Sequence, residues 1–449
     1  MAFTDRLANR GSVSTGYNID NSCVFEGGNN EWVYLNSPTA GNRDIFTFSF
    51  WFKRSESKDA IVVWQGTHGR IRFQSDDIRL RFDNGHELET TRKIRDYSAW
   101  YHLVIACDST QGTAANRVKM YVNGVQETAF ETATYPDQND DSALMTTDNL
   151  YLSAGDGDFD YSGYIADFCI IDGTQYAASD FGEFDEDSGI WKPKDLSGLT
   201  FGSEGVWLKF DDSSSMGADS SGNSNNFTLT NIAAINQTTD TPTNNFCTWN
   251  PVNLGTSGVD TWTITEGATE LTRASSGWSH YFGTIPVSKG KWYWEAEYQN
   301  MAYSVFGFHD VDAIISGEPT TGFGGFVNYN GGEMRVDGLD NETTNNYGTI
   351  ADNSIIGVAL NMDDNQVTIY INNTATVSNF SIGNSANKTV VPYVRLHAAS
   401  AASCSTNFGS AVAYGLASAE ADENGYGSFE FAPPSGYYAI CTKNLAEFG

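Results

Sequence analysis

Basic residues are scarce: 25 Lys plus Arg stand against 56 Asp plus Glu, a formal charge of -31. A surface of that sign repels phosphate backbones and anionic membrane faces, which argues against nucleic acid as a partner. It keeps a protein soluble in salty surroundings, where self-repulsion is screened within roughly 10 Å at about 0.1 M salt, and so suits a marine setting. No stretch approaches the ~18 apolar residues of a spanning helix, and the opening MAFTDRLANRGSV carries no apolar leader. The expectation is a chain without membrane insertion, made in the cytosol and released by another route. The six cysteines (Cys23, Cys107, Cys169, Cys247, Cys404 and Cys441) lie far apart, with no CxxC pair and no histidine at metal-ligand spacing. That predicts free thiols rather than disulfides or a zinc site.

Catalytic motifs are equally lacking. There is no GxSxG elbow, and the six histidines have no Ser or Cys at motif spacing. GFGGF at Gly322 to Phe326 lacks a third glycine position and a following helix, so it reads as a glycine-bent strand end rather than a dinucleotide loop. A glycosidase would need two carboxylates facing a sugar, roughly 5 to 10 Å apart. The nearest candidate, Glu183-Phe-Asp-Glu-Asp187, is a poor ExDxxE strand: Glu186 stands where an apolar residue should, and Ser188 replaces the final Glu. A turn is expected there, and the chain is read as not an enzyme, with no cofactor required.

What is present is β structure. Aromatics make up 13 % of the chain and Gly 44 residues, while Leu, Glu, Lys and Arg are sparse, which favours strands joined by tight turns. At 449 residues the chain is too long for one core, so each half is expected to bury its own. Gly205 to Asn226 marks the joint: Val206, Leu208 and Phe210 alternate with Trp207 and Lys209, then a polar run begins. Residues 1–20 show no periodicity and read as an arm. From Ile45, Phe46, Phe48, Phe50 and Phe52 share one face, which predicts a half-buried sandwich strand. IVVWQG, IRFQ, IRLRF, WYHLVIACD and VKMYVNG follow, the last with a hairpin signal at Asn123-Gly124. Short strands at this spacing argue a two-sheet sandwich.

FTFSFWFKRS, AWYHLVIACDST, RVKMYVNGVQ and YSGYIADFCIIDG resemble the successive strands of a laminin G-like, concanavalin A-like jelly roll, here residues 21–230. DFGEFDEDSGIWKPK and GVWLKFDDSSSMGADSSGNSNNF are similar to a form of this domain common in tailed-phage virion proteins of the marine type. In the ordinary order a strand like GVWLKF opens the domain. Here it closes it, so the resemblance implies a circular permutation with the closing strand near 205–210. Residues 231–251, rich in Asn, Thr and Pro, read as a linker, partly strapped down by Phe246 and Trp249. SKGKWYWEAEY, SVFGFHD, IIGVALNMDDNQVTIYINN, VVPYVRL and CSTNFG resemble, in that order, a SPRY domain at 252–412. The tail 413–449 is read as packing on that second domain, and FEFAPPSGYYAICTKNL resembles the ending of such phage proteins. The fold class is therefore all-β, two antiparallel β-sandwiches joined by a polar linker.

Two sets of site residues stand out. Asp156, Asp158 and Asp160 form a DxDxD run whose hard oxygen ligands suit calcium. The EF-hand reading fails, since the sixth position is Tyr161 and no helix follows; an acidic, solvated hairpin loop is the plain alternative. Laminin G-like domains often bind calcium at loop carboxylates, so the resemblance adds to the first reading. Trp64, Trp191 and Trp278 lie near predicted turns, where aromatics either stack on sugars or cap the core. The resemblance implies a structural protein of the virion, assembled in the host cytoplasm among other virion proteins as a homo-oligomer. Its loops would recognise host-surface glycan or protein. The alternatives are a purely architectural subunit and a polysaccharide depolymerase.

Overall fold

A computed structural model describes residues 16–37, 39–154, 159–252, 263–273, 277–301, 304–313, 323–328, 332–336, 350–410 and 414–449. The chain divides into two compact units, Met1–Thr243 and Asn244–Gly449. Both are built almost wholly of antiparallel strands.

The first unit packs two eight-stranded sheets on one core. One sheet runs, in spatial order, through Val125–Gln126, Val118–Val122, Tyr101–Asp108, Ile45–Arg54, Gly163–Asp172, Ser22–Phe25 and Gln237–Thr238. Val206–Leu208 lies on the same edge of Gly163–Asp172 as Ser22–Phe25, pairing Ile170, Cys169 and Phe168. That strand stops at Leu208, because Phe210 takes the left-handed φ of 55° and turns its ring toward Phe25. The other sheet runs Phe130–Thr134, Glu87–Lys93, Asp77–Arg81, Gly69–Gln74, Ala60–Gln65, Leu150–Leu152, Trp32–Leu35 and Thr228–Thr230.

Ile45–Arg54 departs from the half-buried strand that its alternation predicts: every residue after Ile45 is buried. Phe46, Phe48, Phe50 and Phe52 enter the core between the sheets. The opposite face is covered by later chain, with Ala178, Phe181, Leu196, Phe201 and Trp207 packing against Val104, Cys169 and Ile171. The polar residues of that face are each satisfied. Thr47 donates to the Thr174 carbonyl, Ser49 bonds His102, and Lys53 donates to Asp240. Burying polar groups is tolerable only with such partners.

The stretch 231–251, read from composition as a linker, is divided between the units. Gln237–Thr238 pairs with Ser22 and Cys23, and Asp240 is fully buried in the first unit. Its Oδ2 accepts from Lys53 Nζ at 2.9 Å and its Oδ1 from Trp100 Nε1 at 2.8 Å. Phe246, Cys247 and Trp249 lie in cores of the second unit. Phe246 and Trp249 are the straps that their apolar side chains suggest, whereas the polar composition hid Asp240, a single residue placed by long-range contacts.

Among the described residues of the second unit, twelve strands form one hydrogen-bonded ladder. The 18-residue strand Val390–Asn407 carries it. Its first half pairs Ser304–Asp310 and Gly277–Phe282, and its second half Lys291–Met301 and Glu270–Arg273. Trp292, Trp294, Phe306 and Phe308 from both halves meet in one core. Glu295 anchors the tail: its carboxylate accepts from the amides of Glu430 and Phe431 and from the hydroxyls of Tyr293 and Tyr414. All six cysteines are free and buried, and burial pushes the thiol of Cys441 up to about 12.

Asp240 allows a direct test of the first unit's closure. Truncating one partner of a buried ion pair strands the other charge, at a cost of about 3–5 kcal/mol. Asp240→Ala should therefore lower the stability of the first unit by that amount in urea denaturation of the full chain, while the second unit's transition stays in place.

Candidate functional site

With the first sheet covered on both sides, the outer face of the second sheet of the first unit stays half-exposed, and its residues follow from strand period. Ile71, Phe73, Ile78, Leu80 and Leu88 point into the core. Arg70, Arg72, Arg79, Arg81, Glu87 and Glu89 therefore stand on the other side.

Register lines these residues up. Tyr34 pairs Tyr151, Tyr151 pairs Trp64, Trp64 pairs Arg70, Arg70 pairs Arg81, and Arg81 pairs Glu87. A second row runs Arg72, Arg79, Glu89. The aromatic part is continuous: Tyr34 and Tyr151 have centroids 5.6 Å apart, and Trp64 stacks on Tyr151 at 5.4 Å. Trp64 joins this row through a bulge between Ile61 and Val63. Val62 and Val63 both enter the core, and the doubled inward step turns Trp64 outward.

The arginines are unevenly paired. Arg79 holds Glu87 at 3.1 Å and Glu89 at 2.5 Å. Arg81 donates to the Asp83 carbonyl and the Asn84 side chain, and Arg72 to Gln74. Burial, then the charge of Arg79 and also that of Arg70, holds Arg72 below the usual guanidinium range. Among the described residues of the first unit, four ring or guanidinium nitrogens, Trp64 Nε1, His68 Nδ1, Arg70 Nε and Arg79 Nε, are buried without a hydrogen-bond partner. Burial tends to raise the Glu89 carboxyl, but the bonds and charge of Arg79 outweigh it and leave that group below its ordinary value.

Of the three tryptophans singled out in the sequence, Trp64 alone lies on this face. Trp191 covers the other sheet: its ring lies so close to Gly124 that an added Cβ there would stand 2.3 Å from it, and Gly124 itself has a φ of 78°. Trp191 Nε1 donates to His102 Nδ1 at 3.0 Å, which leaves the histidine proton on Nε2, facing Ser49 Oγ at 2.9 Å. Trp278 belongs to the second unit, where its backbone pairs His397; its side chain lies outside the described residues. Tyr34, Tyr151 and the arginines escaped the sequence reading, although the alternation in IRFQ and IRLRF already sets the arginines on one face.

Asp156 and Asp158 lie outside the described residues, and Asp160 forms an isolated bridge with Ile61. Two other groups bring metal-type donors together among the described residues. In the first, His86 Nδ1 lies 2.8 Å from Asp83 Oδ2 and 3.1 Å from Asp140 Oδ2. Calcium takes six to eight oxygen ligands, so an imidazole with two carboxylates does not fit it. In the second, Asp77, Glu89 and Glu131, the charges are already answered by Lys93 and Arg79. Glu183 lies in the short strand Gly182–Phe184, and the turn of this hairpin begins at Asp185, which accepts from Ser188 and Lys192, and these hold its carboxyl at about 2.

Residues 27–178 match the family model described as concanavalin A-like lectin/glucanases superfamily, of laminin G type. Among solved structures, the chain is similar to the SPRY domain of human HERC1, at 13 % identity and a TM-score of 0.28 over 35 % of this chain and 96 % of that one. It is similar to mouse laminin alpha1 chain domains LG4-5, at 10 % identity and 0.29 over 87 % and 89 %. The heptameric SAP-like pentraxin of Limulus polyphemus matches at 14 % identity and 0.27 over 36 % and 80 %. No curated protein matches the chain.

Burial pushes His102 down from 6.5 to about 3, so the folded state holds it neutral. Its contribution to stability is complete above about pH 6.5 and is lost as pH falls from there toward the folded value, by about 2 kcal/mol between pH 7 and 5. Asp167, raised by burial to about 7, has the opposite sign: its contribution is present at low pH and lost as pH rises from 3.8 through about 7. His102→Gln should therefore flatten the acid-side fall of the first unit's unfolding free energy, read by denaturation of the full chain at pH 7, 6 and 5.

Proposed function

We propose that this protein recognises glycan through the outer face of the second sheet of its first unit. The observation that carries the reading is the half-exposed row Tyr34, Tyr151 and Trp64, held in register on three neighbouring strands. Aromatic rings on a rigid sheet offer large contact area at little entropic cost, and sugar C–H faces are suited to them. The family model covering 27–178 is named for lectins and glucanases, and the whole aromatic row and all four arginines lie inside that range. Lectin-type binding fits better than hydrolysis. A general acid needs a carboxyl held above its ordinary value. On this face Glu89 is held below it, and Arg79 spans both Glu87 and Glu89.

The wider setting we propose is a tailed-phage particle that displays the protein in many copies toward the host surface. Its support is the resemblance of residues 180–194 and 205–227 and of the C-terminal tail to such virion proteins. Weak single sites would then act together, since linking them raises avidity by about 10² to 10⁴.

A glycan array with the purified full chain tests the reading. Trp64→Ala and Tyr151→Ala should each weaken binding about 10- to 100-fold, equivalent to ~1.4 to 2.8 kcal/mol, with unchanged melting. Trp191→Phe should lower stability and leave binding alone. If no glycan is retained, or Trp64→Ala binds like the parent, a purely architectural role in the particle replaces recognition.

A further inference from the structure

We infer that the ligand of this face is an anionic glycan, whose carboxylate or sulfate groups are taken by Arg70 and Arg72 while its sugar rings lie on Trp64 and Tyr151. The inference rests on the glycan reading above and adds the class of glycan.

Register places the two chemistries side by side. Trp64 pairs directly with Arg70, so the aromatic row runs into the arginines with no intervening strand. Neighbouring strands are about 4.8 Å apart, so a ligand resting on Trp64 and Tyr151 reaches the guanidinium of Arg70 within the span of adjacent sugar units.

The arginines are placed against the overall charge. In a chain with 56 acidic and 25 basic residues, most cations should find a carboxylate. Arg79 does, twice. Among the described residues, Arg70, Arg72 and Arg81 have no carboxylate in ion-pair contact, although they stand beside one another on paired strands. Arg72 is held below its usual range first by burial and then by the neighbouring charges of Arg79 and Arg70. The same corner has a surplus of donors, with Trp64 Nε1, Arg70 Nε and Arg79 Nε buried and without acceptors. Unpaired cations and unmet donors at one place favour an acceptor-rich, negatively charged group, and guanidinium binds carboxylate and sulfate oxygens in a two-point fork that an ammonium lacks.

The patch is also small. Glu87 and Glu89 bound it on the next strand, Asp77 lies at the end of the Arg79 strand, and Asp83 follows Arg81. A continuous polyphosphate would meet those carboxylates and the -31 charge of the chain. A polysaccharide with one acidic group per repeat would not, which favours glycan over nucleic acid.

Binding of the full chain to dextran, dextran sulfate, polygalacturonate and a single-stranded oligonucleotide, read at low and high salt, tests this. The expectation is at least tenfold tighter binding to dextran sulfate or polygalacturonate than to dextran, and the arm that binds identifies sulfate or carboxylate as the group. Arg70→Gln and Arg72→Gln should each remove about tenfold of that preference without changing the melting temperature, and Trp64→Ala should weaken every saccharide. If dextran binds as well as the charged polymers and both arginine variants bind like the parent while Trp64→Ala still weakens, the anionic class is wrong and the glycan reading stands. If neither the arginine nor the tryptophan variants matter, both fall. Oligonucleotide binding as tight as the polysaccharides would also overturn the inference.

Discussion

The β-bulge at Ile61 to Val63 sets the candidate surface. A strand alternates inward and outward, so unbroken alternation from Ala60 would send Val63 out and Trp64 in. The bulge inserts one residue against the Ile71–Arg72 step of the neighbouring strand, and both valines become core residues. Past that point the phase is reversed, so Trp64 comes out beside Tyr151 and Arg70 while Gln65 is buried and donates to the Thr146 and Asp148 carbonyls. Without the extra residue, an indole would displace core side chains and a valine would separate Tyr151 from the arginines. The aromatic row and the arginine cluster are one surface only because this register shift joins them.

The opposite sheet is used differently. Both its faces are occupied, and the cost of burying polar side chains there is met by reciprocal bonds: Trp191 to His102, His102 to Ser49, Lys53 and Trp100 to Asp240. Such residues carry perturbed titration as a by-product of packing. His102 and Asp167 shift in opposite directions through the same physical cause, loss of water, because one is cationic and the other anionic when charged. Strong shifts on this sheet therefore reflect its burial. The outer face of the other sheet, where charges stay partly solvated, is where a ligand can reach them.

Much of this architecture was legible in the chain. Period-two alternation located the strands, and Asn123-Gly124 forms the turn its dipeptide suggests, with φ of 48° and 78°. The outward arginines could be read from IRFQ and IRLRF once those runs were taken as strands. Three features were not legible, each for a physical reason. The bulge is a matter of pairing rather than composition, since IVVW holds no glycine or proline to mark it. Trp191 looks like any tryptophan near a turn, and only the glycines beneath it and the nitrogen of His102 decide its role. Asp240 sits in a stretch of Thr, Asn and Pro that reads as a linker, and its burial depends on Lys53, far away in sequence.

Charge then decides how such a face works. At about 0.1 M salt the screening length is roughly 10 Å, so the many distant carboxylates have little effect at Arg70, whereas Glu87 and Glu89 lie close enough to matter. Arg79 stands between those acids and the unpaired arginines and neutralises the first pair while adding to the field of the second. The result is a local positive site in a protein of strongly negative total charge. It cannot draw a ligand from afar, because the long-range field has the wrong sign. In the reading we propose, it holds a glycan that has already settled on the aromatic row, so that contact with Trp64 and Tyr151 comes first and the guanidinium groups select among what is bound.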